Sequence, residues 1–217
     1  MKKYIIISLL GMTLFTGCGK NNVEKSVEVR TQTVQVPANI ENLVAEENEY
    51  RLKLGQTILS NGLSCTLSTV TGGDRIQASI VGHNTLTGIT QVASFLYKEA
   101  FNQPDSSVND GLNVLPLSLR NIYKNLYLLR CQGYVVITET NYHQFDLYSD
   151  DGSVLYLDGA KLVDSDNNHS FVLASGTKYL RRGIHTFRLD YAQTGSGNQG
   201  LVLNMDSSLL EGNTFYH

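Results

Sequence analysis

Tryptophan is absent from this 217-residue chain, and proline and cysteine occur three times each. Beyond the first few residues the 17 lysines and arginines form no cluster, so the basic footprint that phosphate binding requires is missing. Nucleic acid is therefore not an expected partner. No HExxH, paired CxxC, GxSxG, GxGxxG or Walker loop occurs, which removes the common signatures of metalloprotease, hydrolase and nucleotide chemistry. No segment repeats at a fixed period, so a solenoid or propeller is not expected. What is present describes an ordinary globular protein: 41% hydrophobic residues, 19 glycines and a formal net charge of −3. The length suffices for one domain, or for one domain with a small module attached.

The N-terminus speaks to location. In MKKYIIISLLGMTLFTGCGK, Lys2 and Lys3 precede an apolar run from Tyr4 to Phe15 that is too short for a stable bilayer span. The run ends in Leu14-Phe15-Thr16-Gly17-Cys18, which resembles the lipobox of bacterial lipoproteins, with Phe15 departing from the usual leucine. The resemblance implies cleavage after residue 17 and an acylated Cys18, and several acyl chains on one residue hold a protein stably on a membrane. Without residues 1–17 the chain keeps 15 basic and 20 acidic side chains, so anionic lipid does not attract it. Gly19 lacks the aspartate that retains such lipoproteins in the inner membrane, which implies a bacterial cell envelope location with the outer membrane favoured.

Residues 18–48 are polar and read as a tether, able to span up to ~100 Å if extended. The alternation Val27, Val29, Thr31, Thr33 leaves a docked edge strand open as the other reading. Residues 49–84 then read as a small β module. Period-two alternation at Tyr50, Leu52, Leu54, at Leu63, Cys65, Leu67, and at Ile76, Ala78, Ile80 gives three short strands punctuated by turns. Such a sheet is marginal alone and leans on the strands C-terminal to it. From residue 85 to 208 dense strands separated by Gly, Asn and Asp predict an all-β, antiparallel sandwich or barrel. Residues 118–127 offer a short helical alternative, and residues 209–217 form a tail.

Within this stretch an ordered series appears: Arg130-Cys131-Gln132-Gly133-Tyr134, then Tyr142-His143-Gln144-Phe145, Ser149-Asp150-Asp151-Gly152 and Leu155-Tyr156-Leu157-Asp158-Gly159. Leu180-x-x-Gly183-x-His185, Tyr191 and Gly200-Leu201-Val202-Leu203 complete it. The series resembles the PA14 domain, over roughly residues 89–206 and clearest from 126. Cys131 stands where that family usually has an aromatic residue. With Cys18 acylated in an exported protein, Cys65 and Cys131 either form a disulfide or remain two buried thiols, and geometry must arbitrate.

The PA14 lectins of yeast adhesins hold Ca²⁺ on a cis Asp-Asp pair completed by an Asn from a later loop, and the ion binds sugar hydroxyls. By that resemblance Asp150, Asp151 and Asn198 are the implied metal ligands, with Gln193 as an alternative and Tyr148 or Tyr156 as the aromatic that contacts a sugar. The competing reading is that Ser149-Asp150-Asp151-Gly152 only reverses the chain, since Asp-Gly favours hairpin turns. Asp158-Gly159 reads as a turn. His185 shares a strand face with Phe187, Leu189 and Tyr191 and reads as a satisfied core histidine, while Asp164, Asp166, Asn167 and Asn168 read as a solvated loop. The function expected is that of a non-enzymatic, membrane-anchored lipoprotein displaying a glycan-binding or cell-wall-binding module. The alternative is a scaffolding lipoprotein that binds another envelope protein, and an accessory hydrolase lacks the carboxylate pair it would need.

Overall fold

A helix opens the described part of the chain, where the sequence suggested a tether and a strand. In the computed structural model, residues 39–70, 89–107, 110–124, 126–166, 168–194 and 197–217 are described. The leader, Cys18, the first part of the tether and the strand expected at Ile76–Ile80 lie outside the described residues. Helix α1 spans Ile40–Lys53. Its N-cap Asn39 accepts the Asn42 N–H at 2.9 Å, and the i,i+4 pairs Glu47–Arg51 and Glu49–Lys53 close at 2.8 and 3.0 Å. Gly55, with φ +67°, follows the C-cap residue Leu54. The alternation Tyr50, Leu52, Leu54 is thus not a strand. All three side chains are exposed, and the helix buries Leu43 and Val44 instead. Five residues of period two were outweighed by a cap and two ion pairs spaced for a helix.

The strands are β1 Leu63–Val70, β2 Ile89–Tyr97, β3 Asn102–Ser107, β4 Tyr127–Ile137, β5 Asn141–Asp150, β6 Ser153–Leu157 and β7 Ala160–Ser165. Next come β8 Val172–Leu180, β9 Gly183–Gln193, β10 Asn198–Met205, β11 Ser208–Leu209 and β12 Phe215–Tyr216, and a one-turn helix α2, Leu117–Arg120, lies between β3 and β4. Among the described residues they build two antiparallel sheets. One runs β2-β1-β4-β9-β6-β7 with β12 also on β4; the other runs β11-β10-β5-β8 with β3 also on β10. The architecture is a sandwich rather than a closed barrel.

The period-two pattern explains the layers. Phe187, Leu189 and Tyr191 of β9 and Phe145 and Leu147 of β5 point inward and are buried, meeting Phe101, Leu155, Leu203 and Phe215 in one core. β1 joins this core through Leu63, Cys65 and Leu67 and lies between β2 and β4 in the larger sheet. Cys65 and Cys131 stand opposite each other in the β1–β4 register with Cα atoms 4.1 Å apart and are joined by a disulfide. Helix α1 packs Leu43 and Val44 with Val136 against the outside of the same sheet. Asp158 and Gly159, with φ of 53° and 74°, form the β6–β7 hairpin turn. No helix among the described residues is long and apolar enough to cross a membrane.

Candidate functional site

The Ser-Asp-Asp-Gly segment does not make a hairpin. β5 pairs with β10 and β8, whereas β6 pairs with β7 and β9, so Asp150-Asp151-Gly152 carries the chain from one sheet to the other. Positive φ among the described glycines occurs at Gly55, Gly62, Gly111, Gly159 and Gly183, not at Gly152, so the conformation that makes Asp-Gly a hairpin dipeptide is not used. The Asp150–Asp151 peptide bond is cis. Ser149 and Ser153 join their hydroxyls at 2.7 Å beneath the crossing, and the Ala192 N–H donates to the Gly152 carbonyl at 2.8 Å.

Both aspartates are nearly buried, at 8% and 4% exposure, a setting in which a carboxylate must find compensation. Asp151 finds it in Thr194, whose backbone N–H and hydroxyl each lie 2.8 Å from Oδ2. Asp150 is less well compensated. Burial, then the charges of Asp151 and Asp105, push its carboxyl up to about 6, against the partial relief given by His169 and the Phe171 N–H. Asp105 comes from β3, which pairs with β10, and its carboxylate accepts from Asn198 Nδ2 at 3.1 Å. Three acidic side chains and one carboxamide therefore converge on one end of the sandwich. Among the described residues no group of three or more His, Cys, Asp or Glu has the geometry to hold a metal alone. A cation here would rest on the two adjacent aspartates together with amide and carbonyl oxygens.

A buried polar network fixes the loop opposite. The single Tyr191 hydroxyl proton is shared between two acceptors, the Asp150 carbonyl and Gln193 Oε1. Gln193 Nε2 in turn donates to the Asn198 carbonyl at 3.0 Å. Tyr127 donates to Gln199 Oε1 at 2.9 Å. Burial pushes both phenols up, which keeps them protonated donors. Gln193, an alternative ligand by sequence, is wholly buried and holds this loop together from inside.

Of the two tyrosines, Tyr148 lies two residues before Asp150 on β5, half-buried, with its ring stacked on Phe171 at 5.8 Å. Tyr156 is on the other sheet, where Arg188 covers its ring at 4.0 Å. Gly200 is the Cα partner of Asp150 across β5–β10, and a Cβ there would come within 2.7 Å of the Phe171 ring and 3.1 Å of the Asp105 nitrogen. A side chain would close the gap through which these groups approach. His185 is satisfied by Asp158 Oδ2 at 2.9 Å and the Arg181 carbonyl at 2.7 Å. At the end of β7 Asp164 takes Lys161 and the Asp166 N–H, and Asn167 lies outside the described residues. Asp105, Thr194, His169 and Phe171 are the site residues that the sequence did not single out. Asp105 carries no local signal, because only the long-range β3–β10 pairing brings it here.

Residues 121–210 match the sequence model of the PA14 domain. No curated protein matches the chain. Among solved structures, the PA14 domain of the MpAFP antifreeze protein superposes with a TM-score of 0.55 at 16% identity, over 73% of this chain and 91% of that one. The PA14 sugar-binding domain of an RTX adhesin gives 0.53 at 13% identity, over 72% and 98%. The Epithelial Adhesin 6 A domain of Candida glabrata, solved with Galb1-3GlcNAc, gives 0.52 at 15%, over 74% and 88%. The chain spans less than half of two anti-sigma factor domain-containing proteins that it also resembles, 44% of one and 47% of the other. At these identities the likeness establishes the fold.

Proposed function

We propose that this chain is a glycan-binding module held on the bacterial cell surface or in the envelope by lipid on Cys18, with its site at the Asp150–Asp151 end of the sandwich. The observation that carries the reading is the crowding of Asp151 and Asp105 on the buried Asp150 carboxyl, with Asn198 held on Asp105, a repulsion that a divalent cation would offset. Hard carboxylate and carboxamide oxygens suit Ca²⁺, with Asp150, Asp151 and Asn198 as the residues to hold it. When bound, the ion supplies open coordination positions for vicinal sugar hydroxyls. Tyr148 beside Asp150 offers the edge of an aromatic surface to the sugar. Two of the structural relatives are described as sugar-binding or were solved with a disaccharide, which supports the same class of ligand. Membrane attachment rests on the Lys2-Lys3 to Cys18 pattern alone, and the favoured membrane is the outer one.

No reaction is assigned. A single weak site would gain from many lipid-anchored copies on one surface, because display converts modest affinity into avidity. A second reading, docking on another envelope protein, is favoured by the exposed pair Tyr142 and Tyr179, whose rings meet edge-on at 5.3 Å on the other end of β5 and β8. Glycan-array binding with and without Ca²⁺ separates the two. Sugar binding lost on chelation, and lost in an Asp150→Asn, Asp151→Asn variant that still folds, supports the first. Sugar binding that is absent in both conditions overturns it.

A further inference from the structure

The outer face of the smaller sheet changes character from row to row. Phe145, Leu147, Ala174, Leu201 and Leu203 turn into the core, so the alternate positions of β5, β8 and β10 face outward. The register lines these positions up across the strands. Next to the Asp150–Gly200 pair comes Tyr148, flanked by Leu173 and Val202. Asp146 follows, flanked by Ser175 and Asn204, and then Gln144 beside Thr177. The face ends on the exposed pair Tyr142 and Tyr179. An apolar row, with Leu173 49% exposed, therefore lies between the Asp150 end and a polar row. At ~3.4 Å per residue the face runs about 27 Å from Asp150 to Tyr142.

Asp146 is the unusual member of this face. It points outward and yet is only 8% exposed. Gln144 Nε2 and the Ser175 hydroxyl both donate to its Oδ1, at 2.8 and 2.6 Å. Its Oδ2 takes no hydrogen bond from the described residues, and it is the oxygen left to the outside. A carboxylate has acceptor sites on both oxygens, and a nearly buried one is ordinarily filled on both. Two neutral donors fix the group in place while one oxygen stays open to a donor that comes from elsewhere.

The adjoining rows give the class of that donor. A sugar ring has apolar C–H faces and an edge of hydroxyls, so a ring laid against Tyr148 and Leu173 brings hydroxyls to Asp146, Ser175 and Asn204. An acidic sugar would meet Asp146 with like charge, which selects a neutral one. We infer that the outer face of the smaller sheet extends the Asp150–Asp151 site and takes a neutral oligosaccharide, with one ring against Tyr148 and Leu173 and a hydroxyl donating to Asp146 Oδ2. The inference rests on the glycan-binding reading, and it makes the ligand a chain of sugars rather than a single terminal one.

The test compares cello-, galacto- and chito-oligosaccharides, each as disaccharide and hexasaccharide, titrated into the protein with Ca²⁺ and followed by calorimetry and NMR. The expected result is a hexasaccharide that binds ~10-fold or more tightly than its disaccharide, with shifts at Leu173, Ser175 and Asn204 that only the longer ligand produces. Asp146→Asn keeps an oxygen for Gln144 and Ser175 and puts an amide donor in place of Oδ2. It should weaken the hexasaccharide ~10-fold, the size expected for a hydrogen bond to a charged group, and leave the disaccharide unchanged. Leu173→Ser, at an exposed position, should weaken the hexasaccharide ~3-fold through lost apolar contact. Disaccharides that do not bind, while hexasaccharides still shift the face, would overturn the Asp150–Asp151 site and support this one. Hexasaccharide binding that is no tighter than that of the disaccharide, or is unchanged in both variants, would overturn the inference. Absence of binding by every oligosaccharide would overturn both.

Discussion

Thr194 gives both of its donors to one oxygen: its N–H and its hydroxyl each lie 2.8 Å from Oδ2 of Asp151. The loop after β9 is thereby fastened to the crossing between the sheets. Thr194→Val removes the hydroxyl and keeps the shape and the N–H. A loss of ~1 to 2 kcal/mol in denaturant unfolding is expected, since the hydrogen bond is to a charged, buried group. Thr194→Ser should unfold like the parent. Equal stability of all three proteins would mean that the hydroxyl contributes nothing to holding the loop.

Gly200 faces Phe171, and the methyl of an alanine would sit 2.7 and 2.8 Å from two of its ring carbons, with the Asp105 nitrogen at 3.1 Å. Gly200→Ala should therefore turn the Phe171 ring away from Tyr148 and lower stability by ~1 to 3 kcal/mol, the usual range for overpacking. Altered NMR shifts of Tyr148 and Phe171, together with a lower unfolding midpoint, would show it. An unchanged spectrum would contradict the packing described.

Asp150 makes stability depend on pH in a definite direction. Its carboxyl ordinarily titrates near 3.8 and is pushed up to about 6 in the folded protein, chiefly by burial and then by Asp151 and Asp105. Between those values the folded protein keeps a proton that the unfolded chain has released, so stability falls as pH rises through the window. The loss, on the order of 2 to 3 kcal/mol, is complete above it. With chelator present, Asp150→Asn should flatten this part of the profile and raise the melting temperature at pH 7. A variant that is no more stable than the parent at pH 7 would contradict it.

Cys65 and Cys131 close a loop of sequence separation 66 within the β1–β4 ladder. The chain-entropy model assigns such a crosslink ~4 kcal/mol, a large share of the ~5 to 15 kcal/mol that holds a typical domain folded. Reduction, or a Cys65→Ser, Cys131→Ser variant, should lower the melting temperature by roughly ten degrees or more and loosen β1 first in hydrogen exchange. A protein whose melting is insensitive to reductant would show that the sheet pairing suffices without the bond.

The all-β sandwich was legible because the strands from β4 to β10 alternate cleanly: Phe187, Leu189 and Tyr191 on β9 could only be one face of a buried sheet. α1 was not, since its propensity lies in caps and ion pairs at Asn39, Glu47 and Arg51 rather than in an apolar stripe. At the site, Asp150, Asp151 and Asn198 could be named from their motif and loop. Whether Asp-Gly would turn a hairpin or cross between sheets depended on which strands β5 and β6 chose as partners, and that is a long-range matter. Asp105 was invisible for the same reason. It sits on a short polar edge strand beside Pro104, and its partner Asn198 lies far along the chain. Gln193 reads from sequence as a loop residue but ends β9, and its burial beside Tyr191 comes from packing that no local pattern encodes.

The most direct test of the account is calorimetric titration of Ca²⁺ into the protein at pH ~7.5, set beside the Asp150→Asn, Asp151→Asn variant. The account predicts saturable binding with one ion per chain, a melting temperature that rises with Ca²⁺, weaker binding at pH ~5 as protons compete for Asp150, and loss of all three in the folded variant. No heat, with identical melting in Ca²⁺ and in chelator, would contradict it and leave the Asp150–Asp151 crossing as a structural junction between the two sheets.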